Sequence, residues 1–311
     1  MTTLPPPALV ASVADRLRNH ARSNGEDFQF ILVRYGLERI LYRLACSNYS
    51  DRFLLKGAML FLLWKGSTYR PTKDLDLMSP ETLDTATIEQ IFEQICLVDV
   101  EQDGLIFDPT TVQAKEIRED NIYGGIRLSI TAKLGRIRIP IQIDTGFADS
   151  VVPAAVQGTF PTILNFSPPV VTAYPPETVV AEKFEAMVKL GMANSRMKDF
   201  YDLWVLSQEF EFDGTILAKA IRSTFNRRQT KVPDHTPTGL SDEFFGDPTK
   251  LKQWKAFGNR ANVATLPPAE MLLESLRPFL LPPCQWLQFT VPICQEWNPG
   301  GPWKTKGDTS N

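Results

Sequence analysis

Apolar positions near the N-terminus recur at helical spacing. Val10, Val13, Leu17 and Ala21 form one stripe, and Phe30 to Leu44 carries a stronger one that ends near Cys46-Ser47-Asn48. The elements then shorten. Phe53-Leu54-Leu55 reads as a strand running into Lys56-Gly57, and Ala58 to about Trp64 as a compact apolar helix. A turn at Lys65-Gly66-Ser67 leads through Arg70-Pro71-Thr72-Lys73 to a strand over Asp74 to Met78, and Thr87 to Leu97 predicts a helix. From about 110 to 145 the period changes to two. Ile126, Leu128, Ile130 and Ala132 alternate with Arg127, Ser129, Thr131 and Lys133; after Gly135, Ile137, Ile139, Ile141 and Ile143 alternate with Arg138, Pro140, Gln142 and Asp144. Two such runs around Leu134-Gly135 predict a hairpin with one buried face. Pro140 cannot donate to a ladder, so it should sit at an edge or bulge.

Residues 150 to 176 are rich in Pro, Thr and Val without a clear period and read as a long connection. Helical patterns follow at about 177–190, 197–208, 213–228, 249–257 and 267–277, and the Pro-, Trp- and Gly-containing last thirty residues read as an irregular tail. The expected organisation is a core with N-terminal helices over 1–150, a connection over 151–176, a helical domain over 177–280 and a tail over 281–311. The fold class is α+β, a mixed or antiparallel sheet with a helical C-terminal domain.

Composition changes this picture little. The 311 residues are 43% hydrophobic and 22% charged, as in ordinary globular proteins. The longest apolar stretch, Ala58 to Trp64, is far short of the roughly 20 residues that cross a bilayer. Pro5-Pro6-Pro7 stands where a secretory signal would have its apolar run, so none is expected. Cys46, Cys96, Cys284 and Cys294 form no short pair, and His20 and His235 are the only histidines, which argues against a zinc site. A reducing cytoplasm is the expected compartment, without membrane association. With a net charge of −3, nucleic acid would be met through a local basic patch rather than by the overall field.

Candidate chemistry starts at Asp74-Leu75-Asp76. Residues two apart on a strand project from one face, so both carboxylates converge while Leu75 and Leu77 enter the core. Carboxylates this close repel unless a cation lies between them, which points to Mg2+, with Mn2+ as the alternative, holding the phosphates of an NTP. Lys56-Gly57-Ala58 stands at a strand-to-helix junction where small residues let phosphate approach backbone N–H groups; it would serve equally as a plain turn. Arg70 and Lys73 bring cations next to the acidic pair in sequence. Asp144 ends a strand whose isoleucines face the other way. If that strand lies beside Asp74–Met78, three carboxylates meet on one surface, as two-metal nucleotidyl transfer requires.

The helical part adds two pieces with open readings. Lys183 lies about 40° around its helix from Met187, at the edge of the stripe of Val180, Phe184, Met187 and Val188, where it can snorkel or reach a triphosphate. Asp199 and Asp202, three apart in Arg196-Met197-Lys198-Asp199-Phe200-Tyr201-Asp202, are helix-surface neighbours on a face that also bears Leu203 and Leu206. Carboxylates there need partners, either Lys/Arg or a ligand.

Competing DxD chemistries fit less well. A haloacid-dehalogenase-type pair follows an apolar strand directly, an EF-hand loop needs other residues where Met78 and Ser79 stand, and a glycosyltransferase site leaves Lys183 and the KDFYD helix unexplained. Together, Leu55-Lys56-Gly57-Ala58, Arg70-Pro71-Thr72-Lys73-Asp74-Leu75-Asp76-Leu77, Lys183 and Arg196 to Asp202 resemble the AbiEii/AbiGii toxin family, related to the Men toxins of mycobacteria, over roughly residues 30 to 230. The resemblance implies a polymerase-β-like nucleotidyltransferase core, NTP and Mg2+ binding, and transfer of NMP to RNA, above all the 3′ end of tRNA. It matches Asp74 and Asp76 to the metal-binding pair, Gly57 to a phosphate-facing turn, and Lys183 and Lys198-Asp199…Asp202 to later motifs; Asp144 matches a third acidic position. Many members have Gly-Gly or Gly-Ser where this chain has Gly57-Ala58, so no hydroxyl is supplied there. The family further implies an antitoxin with a DNA-binding domain, and roles in toxin–antitoxin or phage-defence systems. Catalytic roles are thus expected for Asp74, Asp76, Asp144, Lys183 and Asp202, and nucleotide contacts for Lys56, Gly57, Ala58, Arg70, Lys73, Lys183, Lys198 and Asp199. The alternatives are a protein or small-molecule acceptor, or a non-catalytic NTP- or RNA-binding protein.

Overall fold

The N-terminal stripes fold as helices α1 (Pro7–Asn24) and α2 (Phe28–Ala45) in the computed structural model, which describes residues 4–67, 69–119, 123–147, 149–261, 263, 265–289 and 293–307. Val13, Leu17 and Ala21 of α1 are buried as their spacing predicts. The Asp27 carboxylate caps α2 by accepting from the Phe30 N–H at 2.9 Å. The chain divides into two compact units, one of Met1–Thr68, Thr72–Asp149 and Val156–Ala173, the other of Tyr69–Pro71, Ser150–Ala155 and Tyr174–Asn311.

The first unit is built on a seven-stranded sheet in the order β3-β4-β5-β2-β1-β7-β6. Its strands are β1 (Leu54–Lys56), β2 (Asp74–Ser79), β3 (Leu105–Glu119), β4 (Tyr123–Leu134), β5 (Ile137–Phe147), β6 (Val156–Thr159) and β7 (Val170–Ala173). Helices α3 (Leu60–Lys65) and α4 (Thr85–Cys96) complete it. The sheet is mixed: β2 runs parallel to β5 and β1 parallel to β7, while the other neighbours are antiparallel. The predicted hairpin is β4–β5, with Leu134 opposite Ile137 and Gly135 turning the chain at φ 59°. Leu128, Ile130, Ala132, Ile139, Ile141 and Ile143 are buried on one face, so the other is polar. Pro140 precedes Gln142, where the ladder with β2 begins, and thus meets the expected edge.

Two readings of irregular structure are corrected. The connection contains β6 and β7, both part of the sheet; strands of four residues, one of them Val-Gln-Gly-Thr, are too short to establish a period. The tail is also partly regular. Among the described residues the second unit has α5 (Pro176–Leu190), α6 (Met197–Glu209), β8 (Phe212–Asp213), α7 (Gly214–Arg227), α8 (Asp242–Gly246), α9 (Pro248–Ala261), α10 (Ala269–Trp286), β9 (Gln295–Trp297) and β10 (Trp303–Thr305). Helix α10 continues through Pro278, Pro282 and Pro283. Proline removes the bond to the carbonyl four residues earlier, and the Phe279 carbonyl that Pro283 cannot engage accepts the Trp303 indole N–H at 3.2 Å. Trp297 and Trp303 pack around Phe279, the second stacked on it and the first tilted, so the last strands close an aromatic core. No described helix is long and apolar enough to cross a membrane.

Candidate active site

Asp74 and Asp76 leave β2 on one side, while Leu75 and Leu77 are fully buried on the other. Register fixes what stands beside them. On β1, Lys56 is opposite Asp76; on β5, Asp144 is beside Asp76; on β4, Arg127 is opposite Asp144; on β3, Lys115 is opposite Arg127. One polar row therefore crosses five strands in the order Lys56, Asp76, Asp144, Arg127, Lys115. The pairing of β5 with β2 that the sequence left conditional is present. One carboxylate oxygen from each of Asp74, Asp76 and Asp144 lies within 4.8 Å of the other two.

Three carboxylates at that spacing need help to coexist. Arg127 provides part of it with a two-pronged contact, Nε to Asp144 Oδ1 at 2.8 Å and Nη2 to Oδ2 at 2.6 Å. The buried Thr72 hydroxyl donates to Asp74 Oδ1 at 2.5 Å and orients that acid. Lys56 flanks the other end of the row, with its Nζ 3.9 Å from Asp149 Oδ2. The donor set fits a hard divalent cation: oxygen donors on adjacent strands, with no imidazole or thiolate among them, suit Mg2+ or Mn2+.

Gly57 acquires a specific reason here. It opens a single 3-10 turn, Gly57–Met59, at φ 73°, and a Cβ on it would lie 1.9 Å from Asp76 Oδ2. Glycine is thus required both by the left-handed backbone and by the carboxylate that fills the missing side chain's place. Ala58 is buried, and Lys73 is exposed immediately before β2.

The second unit gathers the other candidates into a charge network of its own. Helix α5 supplies Lys183, whose Nζ lies 2.6 Å from Asp199 Oδ1 and 2.9 Å from Asp202 Oδ2 on α6. Arg70 grips Asp202 with Nε at 2.7 Å and Nη2 at 2.8 Å, and Arg196 meets Asp199 at 2.7 Å. Burial pushes both carboxyls up, but Lys183 and Arg196 beside Asp199, and Arg70 and Lys183 beside Asp202, outweigh it and hold both below the usual range. Burial lowers Lys183, and the two carboxylates more than reverse that. The exposed Lys198 contributes only through its field at Asp199. Of the two readings left open for Asp199 and Asp202, the Lys/Arg partners are present.

Arg127 and Thr72 are the residues that sequence reasoning missed. The signal for Arg127 was available: Leu134 opposite Ile137 places the residue seven before Leu134 against the one seven after Ile137, which pairs Arg127 with Asp144.

A model of the family described as nucleotidyl transferase AbiEii toxin, type IV toxin–antitoxin system, matches residues 39–275. Among solved structures, the JHP933 protein of Helicobacter pylori is similar at 14% identity, with 83% of this chain and 93% of that one covered and a TM-score of 0.47. A candidate nucleotidyltransferase of H. pylori is similar at 13% identity, covering 81% and 94%, with a TM-score of 0.45. No curated protein matches. The family match spans both the acidic row of the sheet and the Lys183–Asp202 network, and on it the chain belongs to the AbiEii family of nucleotidyl transferase toxins.

Proposed function

We propose that this chain transfers NMP from an NTP to RNA, with the 3′ end of tRNA as the acceptor, and that Asp74, Asp76 and Asp144 hold the divalent cation, Mg2+ or Mn2+, on which transfer depends. The observation that carries this reading is the convergence of three carboxylate oxygens within 4.8 Å on adjacent strands. In the reaction an RNA hydroxyl oxygen bonds to the α-phosphorus, the bond to pyrophosphate breaks and the hydroxyl proton passes to solvent water. A bound cation supplies charge neutralisation at the phosphates. The protein's part is positioning: Thr72 and Gly57 fix the acidic pair, and Lys56 stands beside the row for a phosphate. Lys73, exposed immediately before β2, is a further nucleotide contact. The family supports an antitoxin partner, for which we propose a DNA-binding domain, and a cytoplasmic site of action.

The test is incubation of the purified protein with each labelled NTP, total tRNA and Mg2+ or Mn2+. Extension of tRNA is expected with the wild type, and a loss of at least about a hundredfold with Asp76→Asn, since the lost ligand contributes several kcal/mol at the transition state. Label on protein or a small molecule would replace the acceptor. A folded protein that labels nothing, or an Asp76→Asn variant as active as the wild type, would overturn the reading.

A further inference from the structure

Arg127 does more than sit beside the acidic row. Its guanidinium donates to both oxygens of Asp144 and takes one in-plane lone pair on each, so a cation must share that carboxylate with it. Neighbouring strands set this contact. The Asp144 side chain is 9% exposed and that of Arg127 32%, so the arginine lies on the solvent side and can be rehydrated if displaced. A unit positive charge at this distance also opposes the arrival of a dication. The three carboxylates are thus offset on one flank by Arg127, whereas Lys56 on the other is shared with Asp149. Arg127 thereby reduces the net negative charge that the row offers a divalent ion.

Resting on the triad as the cation site, we infer that Arg127 and the divalent cation compete for Asp144, so that the site loads its cation together with the nucleotide and not ahead of it. The triphosphate supplies the negative charge that Arg127 cancels in the row, and it offers the displaced guanidinium a new anionic partner. Arg127 is therefore a positioning residue whose effect is read first in cation affinity.

Mn2+ binding to the full chain, followed by paramagnetic resonance with and without a non-hydrolysable NTP analogue, tests this. The wild type should bind Mn2+ weakly alone and more tightly with the analogue. Arg127→Gln should bind Mn2+ alone about tenfold more tightly, the scale of removing one water-screened charge near a dication, and should gain less from the analogue. In Arg127→Gln combined with Asp144→Asn the gain should vanish. A merely structural arginine predicts the opposite sign, because a loosened hairpin weakens the site. Equal or weaker Mn2+ binding by folded Arg127→Gln therefore overturns the inference. Should that variant not fold, Arg127→Lys, which keeps the charge but loses the two-pronged grip, is expected to show a smaller gain, and no gain overturns it. A wild type that binds no Mn2+ in either condition removes the triad reading as well; binding without the Arg127 effect removes this inference alone.

Discussion

Gly57 shows how a single position can be tied to chemistry it does not perform. Asp76 Oδ2 occupies the place of its absent Cβ, and its φ of 73° is one that L side chains avoid. Gly57→Ala should leave the sheet folded at a cost of about 1–2 kcal/mol for the left-handed backbone. It should also push Asp76 off its position and lower transfer roughly a hundredfold, the scale of a 1 Å misplacement. Circular dichroism beside the labelled-NTP assay separates the two effects; normal transfer would show that Asp76 tolerates displacement. At this scale much of the candidate site was legible. The i, i+2 spacing of Asp74 and Asp76 and the alternation before Asp144 located the acids, because strand geometry alone decides which way those side chains point. The need for Gly57 was only half legible: the sequence suggested a phosphate-facing turn, whereas the packing of Asp76 depends on the β1–β2 register, which no local pattern encodes.

Between elements, the Lys183 network pins α5, α6 and the Tyr69–Pro71 segment of the second unit together. Asp202 faces both Arg70 and Lys183 while 1% exposed. Asp202→Asn would leave those cations with much less compensation, and a loss of about 3–5 kcal/mol is expected, as for other broken buried ion pairs. Urea unfolding measures it; an unchanged midpoint with lost transfer would assign Asp202 to chemistry alone. Helical periodicity placed α5 and α6 nearly to the residue, since their stripes are long. The strands β6, β7, β9 and β10 escaped because three or four residues carry no period, and the length of α10 because Pro278 mimics a stop.

Across the whole molecule, buried acids shifted in opposite directions shape the response to pH. Burial raises Glu38 from 4.5 to about 7, against the Ile163 N–H and Arg39 and Arg34 charges that pull it down. Between those values the folded chain holds a proton that the unfolded chain has released, so this group's contribution to stability falls as pH rises from about 4.5 to about 7. The lowered Asp199 and Asp202 act the other way: their contribution is complete above the unfolded value of 3.8 and is lost as pH falls below it. Stability followed by denaturant melts across pH should therefore decline toward neutrality on Glu38's account, and Glu38→Gln should flatten that limb. A limb unchanged by this substitution would assign the decline to other groups. The parallel pairing of β2 with β5 carries a consequence for biosynthesis. Asp74 meets Gln142 only after the intervening chain has been made and looped back. A nascent polypeptide halted before that point has the DxD pair but lacks its partner strand, so β5 must leave the ribosome before the acidic row can be complete.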